Sequence, residues 1–218
     1  MSEWWTYTLS DFLLFSPRVY YRMLELYNRE LSPAQLLTLA MGAVMLGLLW
    51  RPRPGGGRIL FAMLGALWIW IAWAFFFERY ATINWAAVYV APVFALQGLL
   101  LIGLGAARPH LVLHRDGTGL WLFAFVLLGY PLIAPLLGRS WLAAESFGMM
   151  PDPTAVATLA VLSITAGRAR WLLMVVPALW CAVSGATLWA MDSGDFFVAP
   201  VGAVVVIARL VFLRQRAA

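Results

Sequence analysis

Read for its apolar and polar positions, the chain is a series of long apolar runs separated by short polar breaks. Seven runs, Pro33–Trp50, Ile59–Phe77, Ile83–Ala106, Gly119–Gly138, Pro153–Gly167, Trp171–Met191 and Phe196–Leu213, are apolar almost throughout. All but the fifth reach about 18 residues, the length at which a helix crosses a hydrocarbon layer about 30 Å thick. The fifth covers only about 22 Å at roughly 1.5 Å per residue. The pattern predicts an all-α membrane protein, with seven transmembrane helices over residues 32–218 and an extracytoplasmic amphipathic segment over residues 1–31.

That first segment does not span. Ser16-Pro17 reads as the N-cap and first position of a helix running to about Glu30. Arg18, Arg22, Glu25 and Arg29 fall on one stripe, and Val19, Tyr20, Met23, Leu26, Tyr27 and Leu31 on the other side. With Trp4, Trp5 and Tyr7 this describes a helix lying on a membrane face. A lid over the bundle or a docking surface is the alternative.

Composition strengthens the membrane reading. The chain is 63% hydrophobic and 11% charged, against about 25% charged residues in a soluble domain. The net charge of +5 calls for no nucleic-acid partner, because the basic residues sit in short breaks between spans. One set of breaks (51–58, 107–118, 168–170 and the tail from Arg209) holds ten arginines and one acid. The other set, with the N-terminal segment, holds five arginines and nine acids. The basic excess places the first set in the cytoplasm, the N-terminus outside and the C-terminus inside. The predicted location is the cytoplasmic membrane, with the bilayer as partner. A signal peptide's compact apolar core is missing from Met1 to Leu31.

Candidate chemistry is sparse. The stretch Met149-Met150-Pro151-Asp152-Pro153-Thr154 reads as a helix start, with Asp152 as N-cap and Pro153 at the first helical position. Because the helix that follows is short, residues 147–151 either form a surface loop or dip below the interface. Backbone at that depth must be buried in protein or line a wet cavity. Glu78 and Arg79 close the second span and point apart on a helix; Asn84 is placed to cap the third. Gln35 and Gln97 lie within spans, where an amide acts as interhelical glue or touches a permeant. Tyr130-Pro131, with Pro135, predicts a broken end to the fourth span. Asp192 and Asp195 flank a tight turn and are expected in solvent.

No catalytic motif appears. His110 and His114 are four apart, but a third ligand is lacking nearby, so no metal and no cofactor is assigned. The lone Cys181 excludes an intrachain disulfide.

Several ordered pieces resemble a family of bacterial multi-pass membrane proteins defined as a domain of unknown function. They are Leu26-Tyr27-Asn28, Ser32-Pro33-Ala34-Gln35, Phe76-Phe77 through Ile83-Asn84-Trp85-Ala86-Ala87, Gln97, Tyr130-Pro131, Phe147-Gly148, Pro151-Asp152-Pro153-Thr154 and Val176-Pro177-Ala178-Leu179-Trp180. The resemblance covers roughly residues 24 to 213 and implies topology without an activity. Where its members often read Pro-Cys-Pro-Thr, this chain has aspartate, which removes any thiol-based role. Two functions stay open: a non-enzymatic accessory component of a membrane complex, with another membrane protein as partner, or a small-solute transporter. The transporter would gather Gln35, Glu78, Arg79, Asn84, Gln97, Tyr130, Asp152 and Thr154 around an outward cavity.

Overall fold

The computed structural model describes residues 13–107 and 117–216. His110, His114, Trp4, Trp5 and Tyr7 lie outside the described residues. Within them the chain is helical. Helix α1 (Pro17–Glu30) is followed by α2 (Ser32–Trp50), α3 (Gly56–Trp70), α4 (Ala87–Ala107) and α5 (Gly117–Leu128). Then come the single turn α6 (Ile133–Leu136), α7 (Pro151–Ser163), α8 (Ala169–Ala190) and α9 (Val198–Arg216). Ser16 caps α1, its hydroxyl accepting from the Val19 amide at 3.4 Å, as the Ser-Pro pair predicts.

Four helical stretches are long and apolar enough to cross a membrane: α2, residues Gly56–Thr82, Ala87–Gly105 of α4, and α8. A fifth forms if α5 and Tyr130–Leu136 count as one, bent by 42°. The break falls at Tyr130-Pro131, where it was expected. Of the remaining two expected spans, α7 is shorter, with 13 residues, while α9 has 19, its apolar stretch among the described residues being Val198–Phe212. The third expected span starts later than its apolar run, because Ile83–Ala86 belong to the turn before α4.

Helix α3 continues over Ile71–Phe77 as a π-helix, with the Glu78 amide reaching back five residues to the Trp73 carbonyl at 3.0 Å. The wider turn lets the adjacent Phe75 and Phe76 both face inward, Phe75 against Tyr27 and Phe76 against Phe94 and Trp180. Upstream, α3 and α4 cross at Gly65 and Gly98. A Cβ on either would come within 2.5 to 2.6 Å of the other's carbonyl oxygen, so only glycine permits this approach.

Helix α7 is the axis of the bundle. All of its residues are buried, against α3, α5, α8 and α9. Trp68 of α3 donates its indole N–H to Thr158 at 2.9 Å, and Thr158 donates to the Thr154 carbonyl at 2.7 Å. Helix α1 lies across one end of this bundle, with Leu24 and Tyr27 fully buried in the same core. We call this the α1 end; the 51–55 and 164–168 turns form the opposite end.

Candidate functional site beneath helix α1

The segment leading into α7 is irregular and wholly buried from Ser146 to Met150. Gly148 has φ +76, and a Cβ there would sit 2.9 Å from Thr38 Cβ, so the chain needs glycine for both conformation and space. Several of its backbone groups find partners within the protein. The Gly148 amide donates to Thr154 Oγ1 at 2.9 Å, and Thr154 in turn donates to the Met150 carbonyl at 2.8 Å. Tyr27 of α1 donates to the Met149 carbonyl at 3.1 Å. The amides of Met149 and Met150 both reach Ser146 O. Thr154 is therefore a clamp that closes the entry to α7.

Asp152 departs from its expected role. The N-cap is Met150 and the helix begins at Pro151, so Asp152 lies inside the first turn and caps nothing. A proline ring fits the third helical position as well as the first, since neither position's N–H has a partner within the helix. What fixes the register is α8. Trp180 donates its indole N–H to Asp152 Oδ1 at 2.7 Å, and Ser184 donates its hydroxyl to Oδ2. Trp180 and Ser184 are four apart, on one face of α8. The carboxylate is 2% exposed and lies at the N-terminal, positive end of the α7 dipole.

Aromatic rings roof this carboxylate. Phe76 and Phe94 meet Trp180 edge-on at 5.1 and 5.2 Å, and Tyr20 of α1 meets Tyr80 at 6.1 Å. Between them runs a crevice lined by Tyr20, Phe75, Tyr80, Ser184 and Thr187, with a volume of about 10 Å³. That is room for about one water molecule.

A second polar cluster lies beside it. Arg139 pairs with Asp195 and stacks 4.6 Å over the Tyr21 ring, while Tyr21 bonds Ser193 and Ser193 donates to Asp195. Asp195 was expected in solvent, yet it is 9% exposed, because Arg139 and α1 enclose it. Glu145 completes the cluster, with one carboxyl oxygen buried and without a hydrogen-bond partner. Burial, then the nearby Asp152 and Asp195 carboxylates, push Glu145 well above the usual carboxylate range, against the opposing pull of Arg139.

The eight residues singled out in the sequence occupy separate places. Asp152 and Thr154 share the first turn of α7, and Tyr130 is buried at the break after α5. Gln35 donates to Asn28, which donates to the carbonyls of Leu142 and Ala144 at 2.7 and 2.9 Å. Arg79 pairs with Glu30 of α1, and Glu78 is exposed. Asn84 Oδ1 accepts from the Ala86 amide at 3.1 Å, so it caps the turn into α4. Gln97, 1% exposed, donates to the Leu173 carbonyl at 2.8 Å. Sequence reasoning passed over Arg139, Glu145, Trp180 and Ser184. A signal for the last two was a pair of polar hydrogens four apart in a largely apolar helix, Trp180 closing the Val176–Trp180 piece.

Two more facts frame the chemistry. Among the described residues, no group of three or more His, Cys, Asp or Glu side chains is placed to hold a metal ion. A larger cavity of about 780 Å³ opens outside α1, between that helix and the 79–83 turn.

The profile of a family described as being of unknown function, DUF6064, matches residues 17–218. Neither a curated protein nor a solved structure matches the chain.

Proposed function

We propose, for a chain that belongs to the DUF6064 family of unknown function, the role of a non-enzymatic accessory component of a complex in the bacterial cytoplasmic membrane. In this reading the chain crosses the bilayer seven times, with the N-terminus and α1 outside and the C-terminus inside. The short α7 is enclosed by the other helices, so no lipid need match its length.

The observation that carries the reading is the outward stripe of α2. This helix is the least buried of the four apolar stretches, 22% enclosed against 61% for Gly56–Thr82. Leu36, Leu37, Ala40, Ala43, Val44 and Gly47 are exposed along one side. A Cβ on Gly47 would meet nothing within 4 Å, so packing inside this protein does not require the glycine. A glycine inside a helix costs about 1 kcal/mol relative to alanine. In membranes, small residues at spacing four let a second helix approach closely. A partner's membrane helix against Ala43 and Gly47 accounts for that glycine.

The test is a photo-crosslinking residue at Ala43 in native membranes, with Leu179 on α8 as control. A discrete protein adduct from α2 alone, lost in Gly47→Leu while the melting temperature holds, is the expected result. A monodisperse, partner-free protein at native expression would overturn the reading.

The transporter reading keeps one supporting feature, the crevice that reaches the donors of Asp152. Membrane-impermeant thiol labelling of Ser184→Cys and Thr187→Cys, in a Cys181→Ser background, separates the two. Labelling at both positions favours a wet pathway; labelling at neither leaves the accessory reading in place.

A further inference from the structure

We propose that the groove between α1 and the 79–83 turn binds an anionic phospholipid, with its phosphate among Arg18, Arg22 and Arg79 and its glycerol and first acyl carbons against Val19, Leu26 and Ile83. The proposal rests on reading the chain as a membrane protein and is independent of the α2 contact. Its volume of about 780 Å³ lies in the range of small-ligand sites.

Charge selects the ligand's sign. Three guanidinium groups line the groove against one carboxylate, Glu25. Arg22 bonds Glu25 through one nitrogen at 2.9 Å, and Arg79 holds Glu30 through another; each guanidinium carries five N–H donors, so donors remain. Arg18 is exposed and makes no ion pair among the described residues. A phosphate diester fits such a fork of donors better than a carboxylate pair already in place.

Position selects a lipid. The 79–83 turn joins the apolar stretch that ends α3 to the start of α4. On its flanks Phe77, Trp85 and Tyr89 are 55%, 66% and 69% exposed. Large aromatic side chains facing outward at the end of apolar helices mark the level of the headgroups, where phosphates are concentrated. The same groove has an apolar floor, which a free inorganic anion would leave uncovered. An amphipathic helix with basic and apolar sides in the interface plane meets both halves of such a lipid.

The experiment titrates the full-length protein, purified in detergent, with short-chain phosphatidylglycerol, phosphatidylcholine and inorganic phosphate, read by native mass spectrometry and thermal shift. Phosphatidylglycerol is expected to bind more tightly than phosphatidylcholine. Arg18→Gln is expected to weaken it about fivefold, the effect of one basic side chain at a membrane surface. Arg18 has no ion pair to lose among the described residues, so the fold should survive. Arg53→Gln, at the opposite end, and Gly47→Leu, which tests the α2 contact, should leave lipid binding unchanged. Equal binding of both lipids, equal losses in Arg18→Gln and Arg53→Gln, or protection by inorganic phosphate as strong as by phosphatidylglycerol would each overturn the proposal. An acidic protein retained at this groove in place of lipid would do so as well.

Discussion

Gln97 sits in the apolar middle of α4, and its amide answers a defect in another helix. Pro177 has no N–H, so the carbonyl four residues earlier, Leu173 O, lacks its helical donor. Gln97 supplies that donor at 2.8 Å. Replacing it by leucine should cost about 1–2 kcal/mol in a denaturation assay, and the loss should shrink in a Pro177→Ala background, where the backbone donor returns. A double-mutant cycle measures that coupling. Glu145 yields a prediction of the opposite sign. Its folded value lies above the ordinary one, so the folded state holds its proton more tightly than the unfolded chain does. Its favourable contribution is complete below the ordinary carboxylate range and is lost as pH rises through the raised value. Glu145→Gln should therefore raise the melting temperature more at alkaline than at acidic pH; a pH-independent shift would refute the assignment. Of these two residues the sequence exposed one. A lone amide in an apolar run must bond within the protein, so the role of Gln97 was legible while its partner was not. Glu145 drew no attention in the sequence, because nothing in Ala143-Ala144-Glu145-Ser146 says that α1 folds over it.

At the level of helices, the α3–α4 crossing is the least tolerant contact. Gly98→Ala places a methyl within 2.6 Å of the Gly65 carbonyl, and backbone cannot yield as a flexible side chain does. We expect a loss of about 1–3 kcal/mol. Gly103, five residues along the same helix, has nothing within 4 Å of its Cβ position. There alanine should stabilise by up to about 1 kcal/mol. Both follow from one pair of thermal denaturation curves, and equal effects would contradict the crossing. The apolar runs revealed which stretches are helical, and Tyr130-Pro131 revealed where the fourth breaks. They did not reveal which helix lies at the centre. Helix α7 is no more apolar than its neighbours, and its complete burial depends on how α3, α5, α8 and α9 surround it. The π-helical end of α3 was equally hidden, since Phe75-Phe76-Phe77 suits an ordinary helix until Tyr27 and Trp180 both claim a ring.

For the molecule as a whole, the two ends differ in charge and in construction, and together they fix an expected orientation. Around α1 the acidic residues Glu25, Glu30, Glu145 and Asp195 are tied to arginines or buried beneath the helix. The opposite end carries Arg51, Arg53, Arg58, Arg168 and Arg170 in and beside its turns. Basic residues near the ends of apolar helices are retained on the cytoplasmic side, whereas acids contribute little to the choice. Arg53 and Asp192, both exposed, therefore report on opposite faces. Cys181 is buried and gives little background, and replacing it by serine removes that background. In intact cells, a membrane-impermeant thiol reagent should label Asp192→Cys and spare Arg53→Cys until the membrane is opened. Labelling of Arg53→Cys alone would invert the orientation and move the α1 groove to the cytoplasmic leaflet. Labelling of both would place the two turns on one face, which a bundle whose α2–α3 and α8–α9 turns lie at opposite ends does not allow.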